Sequence, residues 1–227
     1  MPVLNISQSE FELESRFEPR LWALHRDVPE LYEALLTNLG PSGLSSVDLR
    51  PDAGDGSVGG RVLAFFLFAF NANVRIGLES LRFRFTSLAR VERAAAIQAI
   101  GGVMASVAQV SRGAAFTNHT IVYSCHGQII GTPATEFIRQ FVTTRPKVDG
   151  FGENLTAGTA LYYGEAPPVL SSVLTLDPSR AVEGGLFVRI LLVVDGAPRP
   201  ADELAQLAMD RIHKAFTSLA LEVEPWS

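Results

Sequence analysis

Residues 61–86 read RVLAFFLFAFNANVRIGLESLRFRFT, and this stretch decides the fold. The run from Val62 to Phe70 is uncharged and too rich in phenylalanine for a solvated strand, and at nine residues it is far short of the roughly 20 that span a bilayer as a helix. Asn71-Ala72-Asn73 offers a turn, after which the chain returns through Leu81-Arg82-Phe83-Arg84-Phe85. Side chains alternate between the two sides of a strand, so Arg82 and Arg84 take one side and Leu81, Phe83 and Phe85 the other. The pattern predicts one long antiparallel hairpin over 61–86, central in its sheet, with helices over the aromatic side and the two arginines on the open side.

Working outward, FELESRF (Phe11 to Phe17) alternates as a strand, with Phe11, Leu13 and Phe17 expected on differing sides. Asp27-Val28-Pro29-Glu30 carries an N-cap acid and an early proline, Gly40-Pro41 stops the chain, and Leu31, Leu35 and Leu39 recur every four residues; a helix over about 28–39 follows. Leu44 to Leu49 reads as a short strand before a glycine-rich loop over 52–60. From Arg90 to Val110, Ile97, Ile100, Met104 and Val107 keep helical spacing, while Gly101, Gly102 and Ala105 allow close packing and the paired glycines mark a place for a kink. The order then recurs: a strand through HTIVYSCHGQII (119–130), a helix from about Pro133 to Val142, a polar connection to Thr159, a hairpin of Val169 to Leu176 with Leu186 to Val194, and a helix from Pro200 with a stripe of Leu204, Ala208, Ile212, Ala215 and Leu219. The expected fold is α+β: a single domain over 1–227, a mainly antiparallel sheet with helices on one face, and two pseudo-repeated strand-helix-hairpin-helix halves at about 11–111 and 117–221.

Composition narrows the function classes. The chain has 227 residues, and its 19 basic against 24 acidic side chains give a net charge of −5, which argues against broad attachment to nucleic acid or anionic lipid. Lys147 and Lys214 are the only lysines, and arginine supplies the remaining basic residues, a bias that GC-rich coding explains. A single cysteine, Cys125, makes no internal disulfide, and the opening MPVLNISQSEFELE shows no basic segment followed by an apolar one; both point to a cytoplasmic protein.

No motif fixes a reaction. Gly54-Asp55-Gly56-Ser57-Val58-Gly59 matches the dinucleotide-binding spacing, but a strand follows it where a helix is required, so it reads as a turn. His25, His119, His126 and His213 are scattered, with no metal-ligand spacing among them, so no metal or cofactor is expected. In the strand around residues 119–126, His119, Ile121, Tyr123 and Cys125 share one side and His126 takes the other, which keeps Cys125 and His126 from acting as nucleophile and base. No catalytic residue is named. Candidate contacts for a ligand or partner are Arg82, Arg84, His119 and Tyr123, together with Tyr162 and Tyr163, which stand side by side before Pro167-Pro168.

The early strand and LYEALL helix (Leu31–Leu36), the central hairpin, and a C-terminal strand followed by Asp210-Arg211-Ile212-His213-Lys214-Ala215-Phe216 resemble a sporadically distributed family of uncharacterised bacterial proteins of similar length. The resemblance implies a bacterial, cytoplasmic protein and assigns no site residues. The sequence then favours a non-enzymatic protein that works through protein contacts, as a homo-oligomer or a component of an assembly. The alternative is a small-molecule binder or enzyme with a pocket between sheet and long helices, lined by Phe66, Phe68, Phe83 and Tyr123 with Arg82, Arg84 or His119 as anchors. Nucleic-acid binding through the strand arginines is a third reading, and both net charge and aromatic placement run against it.

Overall fold

A computed structural model describes residues 2–22, 24, 27–44, 49–52, 62–86, 88, 91–111, 115–142 and 158–223. The strands are β1 (Leu4–Glu18), β2 (Arg50–Asp52), β3 (Val62–Leu67), β4 (Ala72–Ile76), β5 (Ser80–Phe85), β6 (Ala115–Ile129), β7 (Thr159–Gly164), β8 (Val169–Pro178) and β9 (Leu186–Asp195). The α-helices are α1 (Val28–Leu39), α2 (Arg93–Val110), α3 (Ala134–Arg139) and α4 (Ala201–Ser218). Among the described residues all nine strands join one antiparallel sheet in the order β2-β3-β4-β5-β1-β6-β9-β8-β7, so the architecture is α+β. At its centre the two 15-residue strands β1 and β6 pair along nearly their whole length, with register shifts at Ile6/Gln8 and Arg16/Phe17. Bulges of this kind let a long strand coil with the sheet.

Register explains burial. Phe65, Val74, Phe83, Leu13, Ile121 and Leu192 form one row across six adjacent strands, and each is almost wholly buried. Next to it, Phe66, Asn73, Arg84, Glu12, Val122, Leu191, Val173 and Tyr162 form a row across eight strands on the opposite side. Helices α2 and α4 lie across the buried side, where Ile100, Ala201 and Leu204 meet Phe11, Leu13 and Ile121. The buried side chains make one continuous core.

Several sequence expectations change. The stretch 61–86 is three strands and not one hairpin: the first reversal uses Phe68, Ala69 and Phe70, all left-handed at φ +54, +50 and +71, and the second lies at Gly77, whose N–H donates to Ser80 O over 2.8 Å. Ala72 and Asn73 belong to β4 rather than to a turn. Asn71 explains how the first turn closes, since its amide donates to Phe68 O at 2.8 Å and its own carbonyl accepts from Thr86 N. Phe11, Leu13 and Phe17 are all buried on one side, because their spacing is even. β1 and β6 also begin earlier than their patterns suggest, and α3 is six residues long rather than ten. Asp52, expected in the glycine-rich loop, ends β2, while residues 53–60 of that loop, the G-x-G-x-x-G match and most of the strand expected at Leu44 to Leu49 lie outside the described residues.

Helix α2 runs unbroken through its paired glycines, and the two face different neighbours. A Cβ on Gly102 would meet Leu39 Cδ2 at 2.9 Å and Asn38 O at 3.1 Å, so α1 sits against α2 only because that atom is missing. A Cβ on Gly101 would meet Ala201 Cβ of α4 at an ordinary 3.4 Å. Asn38 donates to Ser106 Oγ at 2.9 Å and Ser106 donates to Gly102 O at 2.8 Å, which satisfies the polar atoms at this close approach. Of the small residues that the sequence marks for close packing, Gly102 and Gly101 are therefore taken up by α1 and α4 of the same chain, while Ala105 is exposed.

Candidate functional site

The sequence-derived candidates separate into three places. Arg82 and Arg84 stand on the open side of the sheet, and both are engaged by β1. Arg84 grips Glu10 with two nitrogens, Nη2 lying 3.1 Å from Oε2, while Arg82 donates through Nε to Glu14 at 3.2 Å and lies 3.1 Å from Glu12. Although burial works against it, the Arg82 guanidinium holds the Glu14 carboxyl below its ordinary range. Exposed pairs of this kind stabilise by about 1 kcal/mol or less each, and they leave these arginines matched with acids of their own chain.

His119 and Tyr123 lie in the core instead. His119 Nδ1 sits 2.8 Å from Ser15 Oγ, its cross-strand partner, and its ring meets that of Phe116 at 5.4 Å. Burial, with a smaller contribution from Arg199, pushes the imidazole down to about 4, against a weaker opposing pull from Asp195, so it is neutral at pH 7. Tyr123 packs edge-on to Phe216 of α4, and burial pushes its phenol well above the ordinary range. Burial also pushes the Cys125 thiol up to about 12, leaving it without nucleophilic thiolate at neutral pH. Phe83 is fully buried, and Phe66 lies half exposed on the opposite side, its ring 5.3 Å from that of Phe70. These side chains therefore do not line one cavity.

Tyr162 and Tyr163 are on β7, the last strand of the sheet among the described residues. They are 78% and 48% exposed and alternate sides: Tyr162 ends the open-side row, and Tyr163 leans toward α4. The strand TALYYG carries no carboxylate, ammonium or guanidinium.

Tyr163 borders a cleft of about 180 Å³ between the outer strands and α4. Leu174, Ile190 and Leu192 form its apolar floor. At its mouth Ser172 donates to Glu165 Oε1 at 2.6 Å, and Arg211 pairs with Glu165 Oε2, so both oxygens of that half-buried carboxylate are engaged. Lys214, one turn further along α4, also lines the cleft and pairs with no carboxylate among the described residues. Sequence reasoning missed this group. Arg211 and Lys214 flank the apolar stripe of α4 at i, i+3 spacing, a legible signal for a shared side, but nothing local ties them to Glu165 46 residues earlier.

Among the described residues no three His, Cys, Asp or Glu side chains gather as a metal site, and no helix is long and apolar enough to cross a membrane. Compared with known proteins, the chain matches no family model and no curated protein.

Proposed function

We propose that the protein acts through protein contacts, and that β7 is its docking edge. One observation carries this reading: the outermost strand among the described residues bears no charge and carries two exposed tyrosines. Edge strands are ordinarily protected by charge, proline or a bulge, because their free N–H and C=O groups template pairing with another chain. The partner that fits is a second copy. Antiparallel self-pairing about Tyr162 sets Tyr162 opposite its own equivalent and Leu161 opposite Tyr163, and it keeps the helix-bearing side on the same side in both copies. The two halves of each chain form an internal repeat, a reading supported by central strands of equal length and by 18-residue helices closing both halves. Under this reading no residue is catalytic, in keeping with a neutral buried His119 and a thiol held protonated.

Native mass spectrometry and light scattering across a range of protein concentrations test it. A dimer that Tyr162→Lys converts to monomer is expected, since the charge disrupts the edge without touching the core. A monomeric mass at every concentration would end the reading, and a dimer indifferent to Tyr162→Lys would move the contact elsewhere.

A second reading, a small-molecule binding protein, is favoured by the cleft under α4, the described opening in which an apolar floor and fixed polar groups meet. Nucleic-acid binding through Arg82 and Arg84 gains no such support, since glutamates hold both.

A further inference from the structure

The cleft between β7–β9 and α4 carries charge as well as shape, and we infer that it binds a small monocarboxylate with an apolar tail of about six carbons. This rests on the small-molecule reading above and assigns the ligand class. Tail length follows from size: about 180 Å³ is slightly more than the ~150 Å³ apolar cavity that accommodates benzene. Leu174, Ile190 and Leu192 supply the matching surface. The head group follows from the mouth. Glu165 is neutralised by Arg211 and its second oxygen takes the Ser172 hydroxyl, so the carboxylate has little left to offer a cationic ligand. Arg211 pairs with Glu165 through Nη1, the five N–H donors of a guanidinium exceed what one carboxylate oxygen accepts, and Lys214 adds an ammonium with no acid partner among the described residues. The three charges sum to +1, which balances a monoanion and falls short of a phosphate dianion. Arg211 is itself fixed by Glu165, so the ligand meets a guanidinium that is already ordered and loses less entropy in being gripped.

Heptanoate, heptan-1-ol and heptylamine are the probes, read by methyl chemical shifts of Leu174, Ile190 and Leu192 in the full chain. Heptanoate saturates these shifts at a concentration about tenfold below that of heptan-1-ol, as one charge-assisted contact predicts, and heptylamine gives none. Lys214→Met, an exposed substitution, removes that tenfold advantage, and Ser218→Trp, which fills the cleft from its rim, removes binding. Equal affinity for heptanoate and heptan-1-ol, or an unchanged Lys214→Met variant, overturns the carboxylate assignment while the cleft remains a ligand site. No saturable shift with any probe, or shifts that survive Ser218→Trp, overturns both.

Discussion

Ser15 Oγ and His119 Nδ1 lie 2.8 Å apart across the central strand pair, joining buried side chains 104 positions apart in the sequence. Between them they satisfy polar groups that would each cost about 1–3 kcal/mol if buried alone. The pair also makes stability depend on pH. A histidine held at about 4 when folded and 6.5 when free binds fewer protons in the folded chain than in the unfolded one between those values. Stability therefore falls as pH drops from about 6.5, and the loss from this group, about 3 kcal/mol, is complete near pH 4. The lowered His126 adds in the same direction. Urea unfolding at pH 7 and pH 4.5 shows a larger acid loss for the native protein than for His119→Gln; equal losses would refute the assignment.

Gly101 and Gly102 respond oppositely to alanine. Alanine gains up to about 1 kcal/mol of helix propensity over glycine, and at 101 the new methyl meets Ala201 at ordinary distance, so Gly101→Ala raises the melting temperature. At 102 it meets the Asn38 carbonyl at 3.1 Å and Leu39 at 2.9 Å, and the overpacking cost of about 1–3 kcal/mol exceeds that gain. Thermal scans of the two variants check the contrast.

Three consecutive non-glycine residues in the left-handed region cost roughly 1 kcal/mol or more each. Ala69→Gly relieves one of them and stabilises by a few tenths to about 1 kcal/mol, the gain being limited by the freer unfolded chain. Ala69→Val, branched at Cβ, destabilises. Chemical denaturation of both variants measures the difference.

Cys125 is fully buried and protonated, so a thiol reagent such as dithionitrobenzoate labels the native protein only as fast as the sheet opens. Labelling in 6 M guanidinium is complete within minutes. Fast native labelling would show that β6 is accessible.

Local pattern made most of the sheet legible. Alternation placed Arg82 and Arg84 opposite Phe83 and set His119, Tyr123 and Cys125 on one side, while the four-residue spacing of Leu31, Leu35 and Leu39 between Pro29 and Gly40 identified α1 over the residues that form it. What alternation cannot carry is a turn made by ordinary residues. Phe68, Ala69 and Phe70 read as strand because nothing in their chemistry announces positive φ, and Asn71, which closes the turn, looked like the turn itself. β7 was hidden for a related reason: none of its residues is fully buried, so no buried row enforces a pattern. The cleft was illegible in kind, since it depends on Glu165, Ser172 and Arg211 being brought together by three separate elements.

The pairing of β1 with β6 has a consequence during translation. β1 acquires β5 on one side once residue 85 is made, but its other side waits for residues 115–129. At about 5–20 residues per second the nascent chain holds that long unpaired ribbon for a few seconds. Glu10, Glu12 and Glu14 lie along it, and Arg82 and Arg84 of β5 already hold them, so the waiting ribbon presents a row of matched charges rather than an apolar side until its own partner arrives.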